Sequence, residues 1–157
     1  MSNSADQDNY VVGYTIFCED IRHEVGGKDS YIGVHKGILI AKDFPVIIPR
    51  LALSINVREP RALTRKRQAP MKIGVYLPGH ETPVTEMLVP VPPEGVISNR
   101  LDNLDDAEIA TFYTVLTSSQ NVQIEQPGAI RVRMNYEGSP VKCGALFVQG
   151  EQADAAV

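Results

Sequence analysis

Phe17-Cys18-Glu19-Asp20-Ile21-Arg22-His23-Glu24-Val25-Gly26-Gly27-Lys28-Asp29-Ser30-Tyr31-Ile32-Gly33-Val34 reads as a strand, a charged turn and a second strand. Two consecutive glycines supply the positive φ that a tight primed turn requires. Ile21 and Ile32 are therefore expected as core residues on paired strands, with Gly26-Gly27 as the turn between them.

Outward from this hairpin the same grammar repeats. Short β-branched runs alternate with Gly and Pro at a spacing of roughly 8–12 residues, the all-β pattern. Strands are predicted near 10–21, 30–40, 46–58, 71–77, 84–91, 109–117, 121–126, 129–136 and 141–149. Leu51, Leu53, Ile55 and Val57 alternate with Ala52, Ser54, Asn56 and Arg58. Ile130, Val132, Met134 and Tyr136 alternate with Ala129, Arg131, Arg133 and Asn135. Period-2 patterning of this kind places one face on a core and the other in water. The first run differs, because Tyr10, Val12, Tyr14 and Ile16 are apolar and so are Val11 and Phe17 on the opposite face. It reads as a strand covered on both sides, as at a subunit contact.

Turn chemistry fits. Pro127-Gly128 suits a type II turn, Glu137-Gly138-Ser139-Pro140 closes the last hairpin, and Pro78-Gly79-His80-Glu81 separates the middle pair. Pro90, Pro92 and Pro93 end a strand. The 94–117 stretch has two readings. Asp105, Asp106 and Glu108 could open a helix with Ile109, Phe112 and Leu116 on one face, but the β-branched load of Ile109, Thr111, Thr114, Val115 and Thr117 favours a strand at 109–117. The fold expected is a single antiparallel β-sandwich over 10–149, immunoglobulin-like, of about eight or nine strands. Residues 1–9 and 150–157 are expected as tails.

Composition narrows the function classes. A length of 157 residues with 43% hydrophobic and 22% charged residues suits one globular domain. A net charge of -4 argues against a surface built for nucleic acid. No apolar run reaches the roughly 20 residues of a membrane span, and the polar N-terminus carries no secretory h-region. With two cysteines, the expected setting is a cytoplasm, or a virion assembled in a bacterial one.

Two clusters stand out as candidate binding sites. Asp20, Arg22 and Glu24 share one face of a strand, and Lys28 returns beside them after the turn. A ligand-gripping pocket is one reading; a salt-bridged hairpin end is the commoner one. Arg61, Arg65, Lys66 and Arg67, with Arg58, put five of the fifteen basic residues into one connection. The choices are a phosphate backbone, an acidic protein surface or a solvated loop. No aromatic residue is interleaved to stack on bases, which disfavours nucleic acid. Cys18 and Cys143 read as small buried hydrophobes. His23, His35 and His80 have no Cys or carboxylate at metal-ligand spacing, and no Gly-x-Ser-x-Gly elbow occurs. No catalytic residue, metal or cofactor is expected.

The hairpin also resembles the signature of an uncharacterised bacterial family, often found in prophage-like settings, through Cys18-Glu19-Asp20-Ile21-Arg22, Gly26-Gly27-Lys28 and Ile32-Gly33-Val34. The resemblance extends through Phe44-Pro45-Val46-Ile47-Ile48-Pro49-Arg50-Leu51-Ala52-Leu53, with looser echoes at Gln126-Pro127-Gly128 and Gly144-Ala145-Leu146-Phe147-Val148. It implies no reaction and no site residues. The expectation is a non-enzymatic module whose partner is a protein or a second copy. The alternative is a small-molecule or carbohydrate-binding domain, with Tyr31, Tyr76, Tyr113 and Tyr136 as stacking surfaces in the absence of Trp; a hydrolase ranks third.

Overall fold

A computed structural model describes residues 10–93 and 110–151; the expected tail at 1–9, most of that at 150–157, and the 94–109 connection with Asp105 and Asp106 lie outside the described residues. Strands dominate, and the one helical segment described is the short α1 (Arg61–Thr64). In chain order the strands are β1 (Val12–Cys18), β2 (Asp20–Glu24), β3 (Lys28–Ile32), β4 (Ile38–Ala41), β5 (Val46–Pro60), β6 (Met71–Tyr76), β7 (Thr85–Val89), β8 (Ala110–Ile124), β9 (Gly128–Tyr136) and β10 (Ser139–Gly150).

They form a three-stranded sheet β1-β5-β8, a five-stranded sheet β4-β10-β9-β6-β7, and the separate ribbon β2-β3. Every pairing is antiparallel except β4 with β10, so the larger sheet is mixed. One hydrophobic core unites the two sheets. Leu51, Leu53, Ile55 and Val57 come from β5, and Ile73, Ile130, Val132, Met134, Leu146 and Val148 from the larger sheet. At the β1 end the sheets meet through the Thr15 hydroxyl, which donates to the Cys143 carbonyl at 2.7 Å. Gly13 is needed there, since a Cβ at that position would overlap Cys143 Sγ.

Several expectations change. The run 10–21 breaks at Glu19, where β1 leaves the sheet and β2 turns into its own ribbon. The 109–117 and 121–126 strands merge into the single β8, because β5 is itself 15 residues long and pairs with it from Val46 to Pro60 except at Pro49, which faces Asn121 at φ 52°. Ala52 and Ser54 are buried although the alternation assigns them to water. The β2-β3 ribbon accounts for this at Ser54, where the Tyr31 hydroxyl lies 3.1 Å from Ser54 Oγ. Conversely, Ile21 and Ile32 are only half-buried, outside the shared core. Val25-Gly26-Gly27 forms a three-residue loop between paired Glu24 and Lys28, with φ of 87° and 72° at the glycines, not a two-residue primed turn. Gly128 has φ 153°, too extended for a type II turn, and opens β9 directly. Glu137-Gly138 is the two-residue primed turn, with φ of 47° and 84° between paired Tyr136 and Ser139. Gly150, expected in a tail, pairs with Ala41 in the β10-β4 ladder.

Candidate functional site

The basic connection after β5 divides into two kinds of residue. Arg65 and Lys66 are exposed, whereas Arg61 and Arg67 are buried, so the expected solvated run does not exist. Period-2 alternation explains the division. Glu59 is in phase with Leu51, Leu53, Ile55 and Val57, so β5 drives its carboxylate inward. A buried carboxylate needs a buried cation and further donors. Arg67 returns from α1 to supply them.

Arg67 Nε donates to Glu59 Oε1 at 2.9 Å, and both side chains are fully buried. Arg67 Nη1 donates to the carbonyls of Ala69 and Val89, and Nη2 to the carbonyl of Pro90 and the Tyr113 hydroxyl. All five guanidinium donors are thus engaged. The Tyr136 hydroxyl donates to Glu59 Oε1 at 2.8 Å, and the Tyr113 hydroxyl to Oε2 at 2.9 Å. The guanidinium also lies 5.6 Å from the Tyr113 ring centroid, a cation-π distance. Burial, followed by the hydrogen bond to Glu59, raises the pKa of both tyrosines. Burial pulls the Arg67 pKa down, but the Tyr113 hydrogen bond and the Glu59 charge outweigh it and leave it raised. Outside the cluster, Glu137 Oε1 accepts from the backbone N–H groups of Ala69 and Gln68, which lowers its pKa. With its donors and acceptors matched, the cluster ties β5, β8, β9 and the end of β7 together.

The hairpin residues sit elsewhere. Arg22 Nε is 3.5 Å from Asp20 Oδ2 with 67% of its side chain exposed. His23 Nδ1 contacts Asp29 Oδ1 at 2.6 Å. Glu24 and Lys28 face each other in the register, but among the described residues no ion pair joins them. This side of the ribbon lies over Leu116-Thr117-Ser118 of β8, whereas the buried cluster meets β8 at Tyr113. The two candidate groups are therefore roughly 10–15 Å apart along one strand and form no common site. The tyrosines form no common platform either: Tyr113 and Tyr136 face Glu59, Tyr76 lies under Arg131 at 5.7 Å, and Tyr31 reaches Ser54.

Two surface features escaped the sequence reading. A cleft of about 300 Å³ beside the start of β5 is lined by Glu19, His35, Leu39, Val46, Ile48 and Arg50. His35 Nε2 is buried there without a hydrogen-bond partner, and its backbone N–H donates to the Phe17 carbonyl. Gly33, at φ 64°, leaves the space that the Glu19 side chain fills. On the larger sheet, a shallow groove of about 420 Å³ brings together Arg131, Arg133, Lys142 and Phe147. Arg133 and Lys142 stand directly opposite each other in the register, an unfavourable placement of like charges.

The outer face of the smaller sheet carries large apolar side chains beside polar ones where the ribbon does not cover it. Val12, Arg58 and Phe112 form one cross-strand row, and Tyr14, Asn56 and Thr114 the next. Exposure is 40% at Val12, 58% at Tyr14 and 73% at Phe112. The first strand is thus covered on its Val11 and Phe17 face and open on the other.

Cys18 and Cys143 are both buried free thiols. Cys143 lies against Gly13, and Cys18 is five residues further along β1, roughly 17 Å away, too far for a disulfide. Burial pushes the Cys143 thiol up to about 11. Among the described residues no group of three His, Cys, Asp or Glu is placed to hold a metal, and no helix is long and apolar enough to cross a membrane. Compared with protein-family models, curated proteins and solved structures, the chain matches none of them significantly.

Proposed function

We propose that this chain is a non-enzymatic protein-interaction module, a β-sandwich of immunoglobulin-like architecture, that self-associates or docks onto a larger bacterial or phage assembly. The observation that carries this reading is the exposure of Val12, Tyr14 and Phe112 on the outer face of the smaller sheet, in two adjacent rows that they share with Arg58, Asn56 and Thr114. Large exposed apolar side chains grouped on one face and rimmed by polar residues have the makeup of a protein-interaction site. The basic connection supports a nucleic-acid role poorly, because Arg61 and Arg67 are withdrawn into the interior. Sedimentation equilibrium tests the proposal, together with pull-down from a bacterial lysate using wild type and Tyr14→Lys. A wild type that stays monomeric and captures nothing removable by Tyr14→Lys overturns it.

A second reading, a small-molecule-binding module, is favoured by the cleft at His35. A largely apolar cleft with an unpartnered buried imidazole nitrogen, also lined by Glu19 and Arg50, has the makeup of a ligand pocket. A thermal-shift screen of small polar ligands, repeated on His35→Phe, tests it. Stabilisation of wild type that disappears in the variant supports the pocket, since bound ligand stabilises by mass action. No stabilisation at millimolar ligand rejects it.

A further inference from the structure

Among the described residues, β8 leaves one edge without a paired strand. Of its 15 residues, Ala110 to Ile124, all but Asn121, which stands at φ 52°, pair with β5 along the other edge. The sequence Ala-Thr-Phe-Tyr-Thr-Val-Leu-Thr-Ser-Ser-Gln-Asn-Val-Gln-Ile contains no charged residue, no proline and no glycine. Edge strands in natural sheets are usually short, bulged, covered, or armed with lysine or proline, because their open N–H and C=O groups recruit other strands. Among the other edges, β1 has seven residues and lies against β10, where Thr15 donates to the Cys143 carbonyl. β4 has four residues and β7 five, and β7 carries Glu86, ion-paired to Lys72.

We infer that the β8 edge pairs with β8 of a second copy of this chain, antiparallel about a two-fold axis, to give a continuous six-stranded sheet β1-β5-β8 with β8-β5-β1. This rests on the self-association reading above and names its surface. A second copy is the occupant that fits the charge. The chain carries a net charge of -4, so two copies repel over most surfaces, whereas a neutral strand meets its own image without opposing charge. An acidic or basic partner would find no counter-charge along this edge. The two-fold also preserves faces: residues on the outer face of one β8 meet outer-face residues of the other. Phe112, 73% exposed, then carries apolar surface across to the neighbouring molecule.

The test combines sedimentation equilibrium with hydrogen exchange read by mass spectrometry. Wild type should dimerise, and peptides covering 110–124 should gain protection as concentration rises, since the outward amides of β8 acquire partners. The double variant Phe112→Lys/Ser118→Lys, which arms the edge at two exposed positions, should be monomeric at concentrations where wild type is dimeric. A wild-type dimer whose added protection falls on 10–18 and not on 110–124 overturns the β8 assignment while leaving self-association standing. So does a folded double variant that dimerises as wild type does. A wild type that is monomeric at its solubility limit overturns both. Should the double variant fail to fold, the exchange pattern of wild type alone decides.

Discussion

Replacing Arg67 with Ala leaves the Glu59 carboxylate buried with two phenol donors and no cation. Breaking a buried pair from one side costs about 3–5 kcal/mol, so urea denaturation should show a loss of that order. Tyr136→Phe removes one charge-assisted hydrogen bond and should cost about 1–3 kcal/mol at neutral pH. The same substitution has a pH signature. The folded-state pKa of Tyr136 lies above that of the unfolded chain, so its contribution is complete below about pH 10. It is lost as pH rises from there, because the unfolded phenol ionises while the folded one holds its proton. Denaturation midpoints measured across that range should fall less steeply for Tyr136→Phe than for wild type. Glu59, Tyr136 and their partner strands were in part legible: Glu59 shares phase with four apolar residues of its strand, and Tyr136 with Ile130, Val132 and Met134. Reading Arg61 to Arg67 as one charge run concealed this, since the inward carboxylate on the preceding strand decides which of those cations is withdrawn from water.

At the scale of elements, the charged hairpin and the β1-β10 contact make opposite predictions. Arg22→Ala should change the unfolding free energy by about 0–1 kcal/mol, because Arg22 is largely exposed and Asp20, its ion-pair partner among the described residues, is partly so. A loss well above that, in the same urea titration, would mean that the ribbon is integral to the fold. Gly13→Ala should destabilise markedly, since the new methyl meets Cys143 Sγ where the two sheets approach. Adding Cys143→Ala should recover part of the loss, and a double-mutant cycle reads the coupling. Strand identity followed well from β-branched periodicity: β5, β9 and β10 fall where the alternation places them. What local pattern does not encode is which strand leaves its sheet. The β2-β3 ribbon reads like any core hairpin, and only its placement over Ser54 shows why Ile21 and Ile32 stay half-exposed while Ser54 is buried.

For the whole molecule, an all-β chain with antiparallel pairing was legible from spacing and turn residues. The parallel β4-β10 pair was not, because a four-residue strand next to a distant segment leaves no periodic trace. Nor was the cleft at His35, whose walls come from separate segments of chain. The topology has one more consequence. The chain up to α1 supplies β1 and β5 to one sheet but lends β4 to the other; the chain after it builds β6, β7, β9 and β10 but lends β8 back. Each half therefore completes the other's ladder, and the exposed Arg65-Lys66 junction lies between them. A single tryptic nick at that junction should leave two fragments that elute together and retain the intact far-ultraviolet spectrum, separating only in denaturant. The halves are interlocked like clasped hands, and the peptide bond at their wrist is dispensable once they have closed.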